Sequence, residues 1–318
     1  MSKKKIAVIG GGNGSAIVLG GLKNYADKFD ISAVISMSDS GGSSGRLRKE
    51  LKTLPPGDIM RAVLSLSSKY DFSMLRKIFY SPRFKGLGKK LEGHNLGNLF
   101  LVLTAKYSGD FLKALEALSQ SVESAGKVFP ASLQAVHLAA ELSNGKIVKT
   151  ECLIDAPNYD RSLKIKHAWL EPDCRAYVKA VQAIKSADYV ILSPGSLYTS
   201  IIAALLPAGI KTAIKASKGR IVYIEGAYRT NGETGPECFS GLIAELEKYL
   251  PRKIDLILHD NTKLNTTQRK FFKEKKWANF EFDKDGIPDR KIKIADFRTE
   301  EGGLSSVKLG KIFKNILV

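Results

Sequence analysis

The feature that most constrains the fold is a glycine-rich loop between a strand pattern and a helix pattern, which occurs twice near the amino terminus. The first loop, Gly10-Gly-Gly-Asn-Gly-Ser15, follows an apolar run and precedes a helical pattern over 16–25. The second, Asp39-Ser-Gly-Gly-Ser-Ser-Gly45, follows an apolar run over 31–37 and leads into a helix predicted to begin near Arg46. Two such units in succession are typical of the βαβ opening of a nucleotide-binding α/β fold.

Both loops have the composition of a phosphate or diphosphate site. Glycine lets the backbone approach a ligand closely, and the free N–H groups at a helix start are suited to an anion. The hydroxyls of Ser43 and Ser44 add donors, and Arg46 adds positive charge at the exit of the second loop. The alternative is a surface linker rich in glycine and serine, but the repetition of the pattern favours a ligand site. The first loop is not a complete dinucleotide fingerprint, because Ser15 stands where a third glycine is expected.

The two loops supply most of the predicted ligand-binding residues. Asp39 closes the second strand, where an acidic residue accepts hydrogen bonds from ribose in Rossmann enzymes; the alternative is a cap for its own turn. The residues predicted to bind the ligand here are Gly10, Gly11, Gly12, Asn13, Gly14, Asp39, Ser40, Gly41, Gly42, Ser43, Ser44, Gly45 and Arg46.

Two later strand ends also carry candidate loops. A strand predicted over 188–193 leads into Pro194-Gly-Ser-Leu-Tyr-Thr-Ser200, and a strand over 220–225 leads into the loop 226–235. Tyr198 has two equal interpretations, a stacking partner for a base or sugar and an apolar plug under its loop. The candidate binding residues of the two loops are Gly195, Ser196, Tyr198, Thr199, Asn231, Glu233 and Thr234.

The segment Gly93-His-Asn-Leu-Gly-Asn98 begins an apolar helical pattern and carries polar candidates. Asn95 and Asn98 lie three residues apart and share a helix face, so they could bond a ribose, a pyrophosphate or the glycine-rich loops. His94 could act as a general acid or base, but a histidine at a helix start is more often a capping or packing residue. The catalytic residues therefore stay unassigned.

Two carboxylates are candidates for binding Mg²⁺ together with a diphosphate. Asp39 closes the second predicted strand and Asp58 is a predicted helix cap, and carboxylates with phosphate oxygens are usual ligands of this ion. The spacing does not say whether the two side chains converge. The sequence contains no recognisable Ser/His/Asp triad, no cluster of His and Cys at metal-ligand spacing, and no P-loop.

The remaining pattern completes the predicted architecture. Alternating apolar residues over 136–142, the dipeptide Asn144-Gly145 and a second extended run over 146–153 predict an antiparallel hairpin. Asp58 is predicted to cap a helix over 59–68, and Asp71 the next one. The fold class is α/β, a Rossmann-like mostly parallel sheet flanked by helices with an antiparallel hairpin inserted near 134–153. We expect a single α/β domain over 1–318.

Composition limits the class of protein and its partners. Of the 318 residues, 44% are hydrophobic, and the formal net charge is +18, which favours anionic ligands. No nucleic-acid-binding motif is recognisable, so nucleic acid is an unlikely principal partner. The three cysteines lack metal-like spacing, and no long apolar segment suits a membrane, so we expect a cytoplasmic protein without membrane insertion. The sequence leaves the oligomeric state open, including a homo-oligomer.

The motifs together resemble the gluconeogenesis factor family, bacterial UDP-sugar-binding proteins related to the 2-phospho-L-lactate transferases of deazaflavin synthesis. These motifs occur in the same order as in that family and extend over nearly the whole chain. The segments that carry the resemblance are the two amino-terminal loops, Leu54-Pro-Pro-Gly-Asp-Ile59 with Arg61, Arg83-Phe84, Gly93-His-Asn-Leu-Gly-Asn-Leu99, Pro194-Gly-Ser-Leu-Tyr-Thr-Ser-Ile201 and Gly232-Glu-Thr-Gly235.

The chain also departs from the family pattern. Asn13 stands where the family usually has threonine, and Asp39-Ser40 stands where many members have two aspartates. The stretch Gly303-Leu-Ser-Ser-Val307 lacks the basic residue that many relatives carry there. The resemblance therefore implies a nucleotide-binding fold, while the affinity and identity of the ligand can differ in this chain.

The resemblance implies a cytoplasmic nucleotide-sugar-binding protein with a regulatory role in carbon metabolism, cell-wall synthesis and cell shape, and with protein partners in that regulation. The alternative is a transferase that moves a phospholactyl group from a nucleotide diphosphate donor to a deazaflavin acceptor, with Mg²⁺ as cofactor. A third hypothesis, an NAD(P)-dependent oxidoreductase, is disfavoured by the incomplete glycine fingerprint. Whether the protein is an enzyme stays open at this point.

Overall fold

Strands in three sheets form the framework of the protein. The computed structural model describes residues 2–81, 83–160, 162–226, 229–230, 235–260 and 262–317. Its strands are β1 Lys4–Gly10, β2 Phe29–Ile35, β3 Lys127–Pro130, β4 His137–Leu142, β5 Ile147–Lys149, β6 Ile165–Glu171, β7 Tyr189–Leu192, β8 Arg220–Ile224, β9 Arg229–Thr230, β10 Leu256–His259, β11 Trp277–Ala278 and β12 Ile292–Ile294.

The largest sheet of the described residues has seven parallel strands in the order β12-β10-β8-β7-β1-β2-β3. In chain order, β2 and then β3 are added on one side of β1. β7 is then added on the other side of β1, followed by β8, β10 and β12. In open α/β sheets, ligands bind at the carboxyl ends of the strands where this order reverses, here between β1 and β7. The predicted mostly parallel sheet is confirmed.

Helices cover both faces of the sheet. They are α1 Gly12–Lys23, α2 Gly42–Leu51, α3 Gly57–Ser65, α4 Phe72–Leu75, α5 Leu96–Ser108, α6 Phe111–Ser121, α7 Glu151–Asp155, α8 Val178–Lys185, α9 Ala203–Leu205, α10 Ile210–Ala216, α11 Phe239–Lys248, α12 Thr266–Lys275 and α13 Ser306–Ile316, with π-helical turns at Arg76–Tyr80 and Leu197–Ile202 and a 3₁₀ turn at Lys284–Gly286.

The alternation of side chains along β1 divides the core into two parts. Ile6 and Val8 face a cluster that includes residues of α1, α3 and α13, while Ala7 and Ile9 face a cluster with residues of α8, α10 and α11. Successive residues of a strand point to opposite faces, and here both faces are covered, which explains the continuous apolar run of β1.

The antiparallel hairpin predicted near 134–153 is present, with two differences. β4 pairs with β5 across Asn144-Gly145, but β4 also pairs with β6, so the insertion is a three-stranded sheet. The second strand ends at Lys149, and the last residues predicted as extended, 151–153, instead belong to the short helix α7. The turn dipeptide located the hairpin correctly, whereas the local pattern did not mark where the strand ends.

Three helices begin earlier than predicted. α2 begins at Gly42 and not near Arg46, and α1 begins at Gly12, so the glycine-rich segments form first helical turns. α3 begins at Gly57, which places Asp58 inside its first turn without a capping hydrogen bond. The predicted cap at Asp71 is confirmed, since its carboxylate accepts from the N–H groups of Ser73 and Met74.

Candidate functional site

A polar cleft of about 410 Å³ lies at the carboxyl ends of β1, β2 and β7, where the order of the strands reverses. Its walls come from several segments of the chain, most of which follow strands or begin helices. The lining residues are Gly11, Gly12, Asn13, Gly14, Asp39, Gly41, Gly42, Ser43, Ser44, Gly57, Asp58, Arg61, Tyr80, Arg83, Asn98, Glu151, Asp155, Gly195, Ser196, Thr199 and Ser200.

Several helices begin at this cleft. The first residues of α1, α2 and α3 line it, as do Asn98 near the start of α5 and Ser196 before the π-helical turn. A helix start presents free N–H groups and the positive end of the helix dipole, so each favours an anion. Gly11 and Gly57 also leave room for carboxylates, because a Cβ on them would lie 2.8 Å from Oδ2 of Asp58 and 3.3 Å from Oδ2 of Asp39, respectively.

A buried hydrogen-bond network holds the second glycine-rich segment in place. The hydroxyl of Ser43 lies 2.7 Å from Nδ1 of His94 and accepts from Nδ2 of Asn98 at 2.9 Å. Asn95 caps α5 by accepting from the N–H of Asn98 at 2.8 Å. His94 and Asn95 are 1% and 0% exposed. These contacts support the packing and capping interpretations of His94 and Asn95, while Asn98 reaches the wall of the cleft.

The cationic side of the cleft is built around Arg61. Its guanidinium donates to Oδ1 of Asp58 at 3.2 Å and to the hydroxyl of Tyr80 at 2.6 Å. Arg83 also lines the cleft and donates to the carbonyl of Gly93. Arg61 therefore presents a charge that other protein groups hold at a fixed position, which suits recognition of a phosphate.

Four carboxylates line the same cleft. Burial, followed by the negative charge of Asp58, raises the pKa of Asp39. Burial, followed by the charge of Asp39, raises the pKa of Glu151 to about 8. Asp155 accepts from the hydroxyls of Ser196 and Thr199 at 3.0 and 3.1 Å. Burial is the larger cause of both raised pKa values and the neighbouring carboxylates add to it, so a bound cation would be favourable beside these side chains.

The geometry of these carboxylates limits how a metal could bind. Within the described ranges, no group of three or more His, Cys, Asp or Glu side chains is arranged to hold a metal ion. Asp39 and Asp58 both line the cleft, so the two side chains converge, a point that the sequence left open. Mg²⁺ typically binds through one or two carboxylates plus phosphate oxygens and water, so this pair fits an ion that arrives with a diphosphate.

The structure brings most of the predicted binding residues together. Those that line the cleft are Gly11, Gly12, Asn13, Gly14, Asp39, Gly41, Gly42, Ser43, Ser44, Asn98, Gly195, Ser196 and Thr199. The predicted residues Asn231, Glu233 and Thr234 lie outside the described part of the chain.

The other predicted residues do not line the cleft. Gly10 ends β1, and Gly45 packs against the backbone of Ser40, whose hydroxyl accepts from the N–H of Cys152. Arg46 points away to the carbonyl of Glu92, at 2.6 Å. These residues position the glycine-rich segments and do not line the cleft, because α2 begins four residues earlier than the pattern predicted.

Tyr198 occupies the core under its loop. Its side chain is 4% exposed and belongs to the apolar cluster on the face of α10 and α11. Burial, followed by the nearby Glu245, raises the pKa of its hydroxyl well above the usual range. The apolar-plug interpretation of Tyr198 is therefore favoured over stacking on a base or sugar.

Glu151 and Asp155 are the principal site residues that sequence reasoning missed. Both lie on α7, directly after the hairpin, and the backbone N–H of Ser40 donates to Oε2 of Glu151 at 3.3 Å. In the sequence they stand more than 100 positions from Asp39 without a motif of their own. Only the inserted sheet, which folds back over the second glycine-rich segment, brings them to the cleft.

The fold and the cleft define a class, a Rossmann-like α/β protein with a polar cleft at the reversal point of its sheet. The chain matches the family described as 2-phospho-L-lactate transferase CofD over residues 6–299, and it belongs to that family. The resemblance inferred from the sequence motifs is thereby confirmed.

Named relatives and a solved structure agree with this assignment. A protein named gluconeogenesis factor from Halalkalibacterium halodurans is 37% identical over 278 residues, which are 86% of this chain and 83% of the relative. The gluconeogenesis factor of Bacillus subtilis is 40% identical over 73% of this chain and 70% of its own length. A crystal structure of a Bacillus halodurans protein superimposes with a TM-score of 0.90 at 32% identity, covering 100% of both chains.

Proposed function

We propose that the protein binds a nucleotide sugar, specifically a UDP-sugar, in the cleft at the carboxyl ends of β1, β2 and β7. The observation that carries the proposal is the convergence of several helix starts with Arg61 and the carboxylate pair Asp39 and Asp58. This combination of anion-binding N–H groups and acidic side chains suits a diphosphate that is accompanied by a divalent cation.

In this proposal different residues bind different parts of the ligand. The N–H groups of the Gly12 and Gly42 helix starts hold the two phosphates, and Arg61 offsets part of their charge. Asp39 and Asp58 would hold Mg²⁺, whose charge would lower the cost of placing carboxylates beside phosphates. The hydroxyls of Ser196 and Thr199 lie on the opposite wall, already fixed by Asp155.

The proposed role is regulatory. Relatives named gluconeogenesis factor support a role in carbon metabolism, and the family resemblance extends it to cell-wall synthesis and cell shape through protein partners. The three free cysteines fit the reducing cytoplasm. None of the helices in the described ranges combines the length and apolar character that a membrane crossing requires.

The alternative function is phospholactyl transfer from a nucleotide diphosphate donor to a deazaflavin acceptor. The observation that favours it is the match to the transferase family over most of the chain. This function would require an acceptor pocket next to the phosphate cleft, and the same carboxylate pair would hold the ion.

We predict that Asn13→Asp weakens UDP-N-acetylglucosamine binding at least about fivefold, because two unit charges about 4 Å apart repel by about 1 kcal/mol even in water. Asn13 is exposed at the start of α1 and lines the cleft. A negative charge at a helix start stabilises the helix, so the melting temperature of the free protein should not fall. Calorimetric Kd values for UDP, UDP-N-acetylglucosamine, UDP-glucose and GDP, with and without Mg²⁺, provide the measurement.

Asn144→Asp is the matched control, because it makes the same charge change at the exposed hairpin turn, where Asp-Gly is as suitable as Asn-Gly. Its affinities should equal those of the unsubstituted protein. Selective binding of UDP-sugars supports the regulatory proposal. Binding of GDP with Mg²⁺ but not of UDP-sugars would support the transferase alternative, and equal affinities for the two Asp variants would refute the assignment of the cleft.

A further inference from the structure

A second polar cavity, of about 90 Å³, lies at the same edge of the central sheet, where β8 and β10 end. Neighbouring strands are about 4.8 Å apart, so the end of β8 is about 10 Å from that of β1. The residues that line the cavity are Glu225, His259, Asp260, Thr262, Asn279, Phe280, Phe282 and Arg298.

A buried pair of side chains forms one wall of this cavity. His259 Nδ1 is hydrogen-bonded to Oε2 of Glu225, and the two side chains are 3% and 1% exposed. In the tautomer that donates its Nδ1–H to this carboxylate, the lone pair of the ring lies on Nε2. This Nε2 atom is buried and has no hydrogen-bond partner among the described residues. A buried polar atom without a partner is costly, so a ligand or water that bonds Nε2 would be favourable there.

Aromatic rings fix the orientation of His259. Its ring is stacked on Phe282, with centroids 4.2 Å apart and planes 12° apart, and Phe239 packs against it at 4.7 Å. Phe280 and Phe282 also give the cavity an apolar wall. The imidazole is therefore held rigidly beside a surface that combines aromatic and polar groups.

The second carboxylate of the cavity, Asp260, is paired with a cation. Asp260 Oδ1 lies 3.1 Å from Nε of Arg298, and its Oδ2 accepts from the N–H of Phe297 at 2.9 Å. The guanidinium also donates to Oδ1 of Asn279 at 3.2 Å. Asp260 already has a cationic partner, and the carboxylate of Glu225 adds negative charge beside His259, so the cavity disfavours an anionic group. It favours a neutral group that donates a hydrogen bond.

We propose that this cavity is a subsite for the hydroxyl groups of a carbohydrate, one of which donates to Nε2 of His259. The cavity volume corresponds to about three water molecules at about 30 Å³ each, enough for one or two ring hydroxyls or a hydroxymethyl group. An aromatic wall beside polar acceptors suits the mixed surface of a sugar. The inference rests on the proposed function, because it places the sugar of a nucleotide sugar about two strands from its diphosphate.

The test distinguishes the contribution of the nucleotide to binding from that of the sugar. It compares the Kd values of His259→Asn for UDP and for UDP-N-acetylglucosamine. The Asn amide can still donate to Glu225 but lacks an atom at the position of Nε2. We expect unchanged UDP binding and a three- to tenfold weaker UDP-N-acetylglucosamine complex, the effect of losing one hydrogen bond. His167→Asn, at an exposed histidine on β6, is the control and should change neither value.

A second readout uses the unsubstituted protein, so the test does not depend on the stability of the variant. With ¹⁵N-labelled histidine, the Nε2 resonance of His259 should shift when UDP-N-acetylglucosamine is added and stay in place when UDP is added. Equal loss of both ligands in His259→Asn, or no loss of either, would refute the sugar subsite while leaving the phosphate cleft intact. Failure of the unsubstituted protein to bind UDP would instead refute the proposed function and the subsite together.

Discussion

At the scale of single residues, the most informative group is the Glu151 carboxyl. It is absent from the glycine-rich segments, yet it lies against the N–H of Ser40 and beside Asp39. Helix α7 therefore places a further carboxyl group beside Asp39, although this group lies outside the second glycine-rich segment.

The raised pKa of Glu151 predicts a specific dependence of stability on pH. The pKa rises from its ordinary value of 4.5 to about 8 in the folded protein, so between these values the folded protein binds more protons than the unfolded chain. The free energy of unfolding should therefore decrease as the pH rises from about 4.5 to about 8. Glu151→Gln should flatten that part of the profile and raise the melting temperature at pH 8, measured by thermal unfolding without divalent cations.

Glu274→Gln serves as the control for this profile, because Glu274 is exposed on α12, away from the cleft. Its melting profile should follow that of the unsubstituted protein at every pH. A Glu151→Gln profile that falls as steeply as the original between pH 5 and 8 would contradict the assignment of the slope to this carboxyl.

At the scale of elements, the glycine-rich segments act as helix starts and not as loops. Gly42 begins α2 with a φ of +46°, a conformation that side chains rarely adopt. Gly14 lies in the first turn of α1 and packs directly against the carbonyl of Pro194. The first segment thus contributes close backbone packing between α1 and the loop after β7, besides its free N–H groups.

Two alanine substitutions on α1 should have opposite effects. A Cβ at Gly14 would overlap the carbonyl oxygen of Pro194, so Gly14→Ala should lower the free energy of unfolding by about 1–3 kcal/mol. A Cβ at Gly20 would meet only Ser306 Cβ at 3.6 Å, an ordinary contact, so Gly20→Ala should stabilise by up to about 1 kcal/mol. Urea unfolding of both variants provides the measurement, and the same sign for the two would contradict the packing described.

At the scale of the whole molecule, the last helix packs on the first. α13 lies against α1, and Gly310 and Gly21 bring the two backbones together. Leu309 and Phe313 of α13 belong to the same apolar cluster as Leu19 and Leu22 of α1. Through this contact α13 packs on α1, whose first residues form one wall of the cleft.

We predict that Gly310→Ala destabilises the protein through this contact. A Cβ at Gly310 would lie 2.7 Å from the carbonyl oxygen of Gly21, so the two helices would have to separate. The expected loss is about 1–3 kcal/mol of unfolding free energy, measured by urea denaturation. Lys311→Ala, at an exposed position of the same helix, should change it by less than about 0.5 kcal/mol. If Gly310→Ala and Lys311→Ala changed the unfolding free energy equally, the packing of α13 on α1 would not depend on the close approach of Gly310 to Gly21.

Much of the architecture could be predicted from the sequence, because its signals are local. Apolar runs followed by glycine-rich segments marked β1 and β2, and Asn144-Gly145 marked the hairpin. The start of α2 was missed because glycine indicates a loop in sequence, whereas here it gives the first helical turn its conformation. The order of the strands depends on long-range packing, which no local pattern contains.

The candidate site was predicted only in part for the same reason. The glycine and serine residues of the cleft lie in short motifs, whereas its carboxylates come from different parts of the chain. Asp58 was a candidate Mg²⁺ ligand together with Asp39, but the sequence left open whether the two side chains converge. Glu151 and Asp155 were not recognised at all. Their approach to Asp39 depends on the three-stranded insertion folding back over the sheet, a tertiary event without a sequence signature.

The pairing of α1 with α13 also sets an order of events during synthesis. The described walls of the cleft are complete once Ser200 has emerged from the ribosome, about 100 residues before α13. At roughly 5–20 residues per second, this interval lasts about 5–20 s. Throughout it, the apolar face of α1 that α13 later covers has no partner from its own chain. The nascent protein thus acquires its ligand-binding residues while it still carries an open apolar surface, which is the stage at which a chaperone would find a binding site.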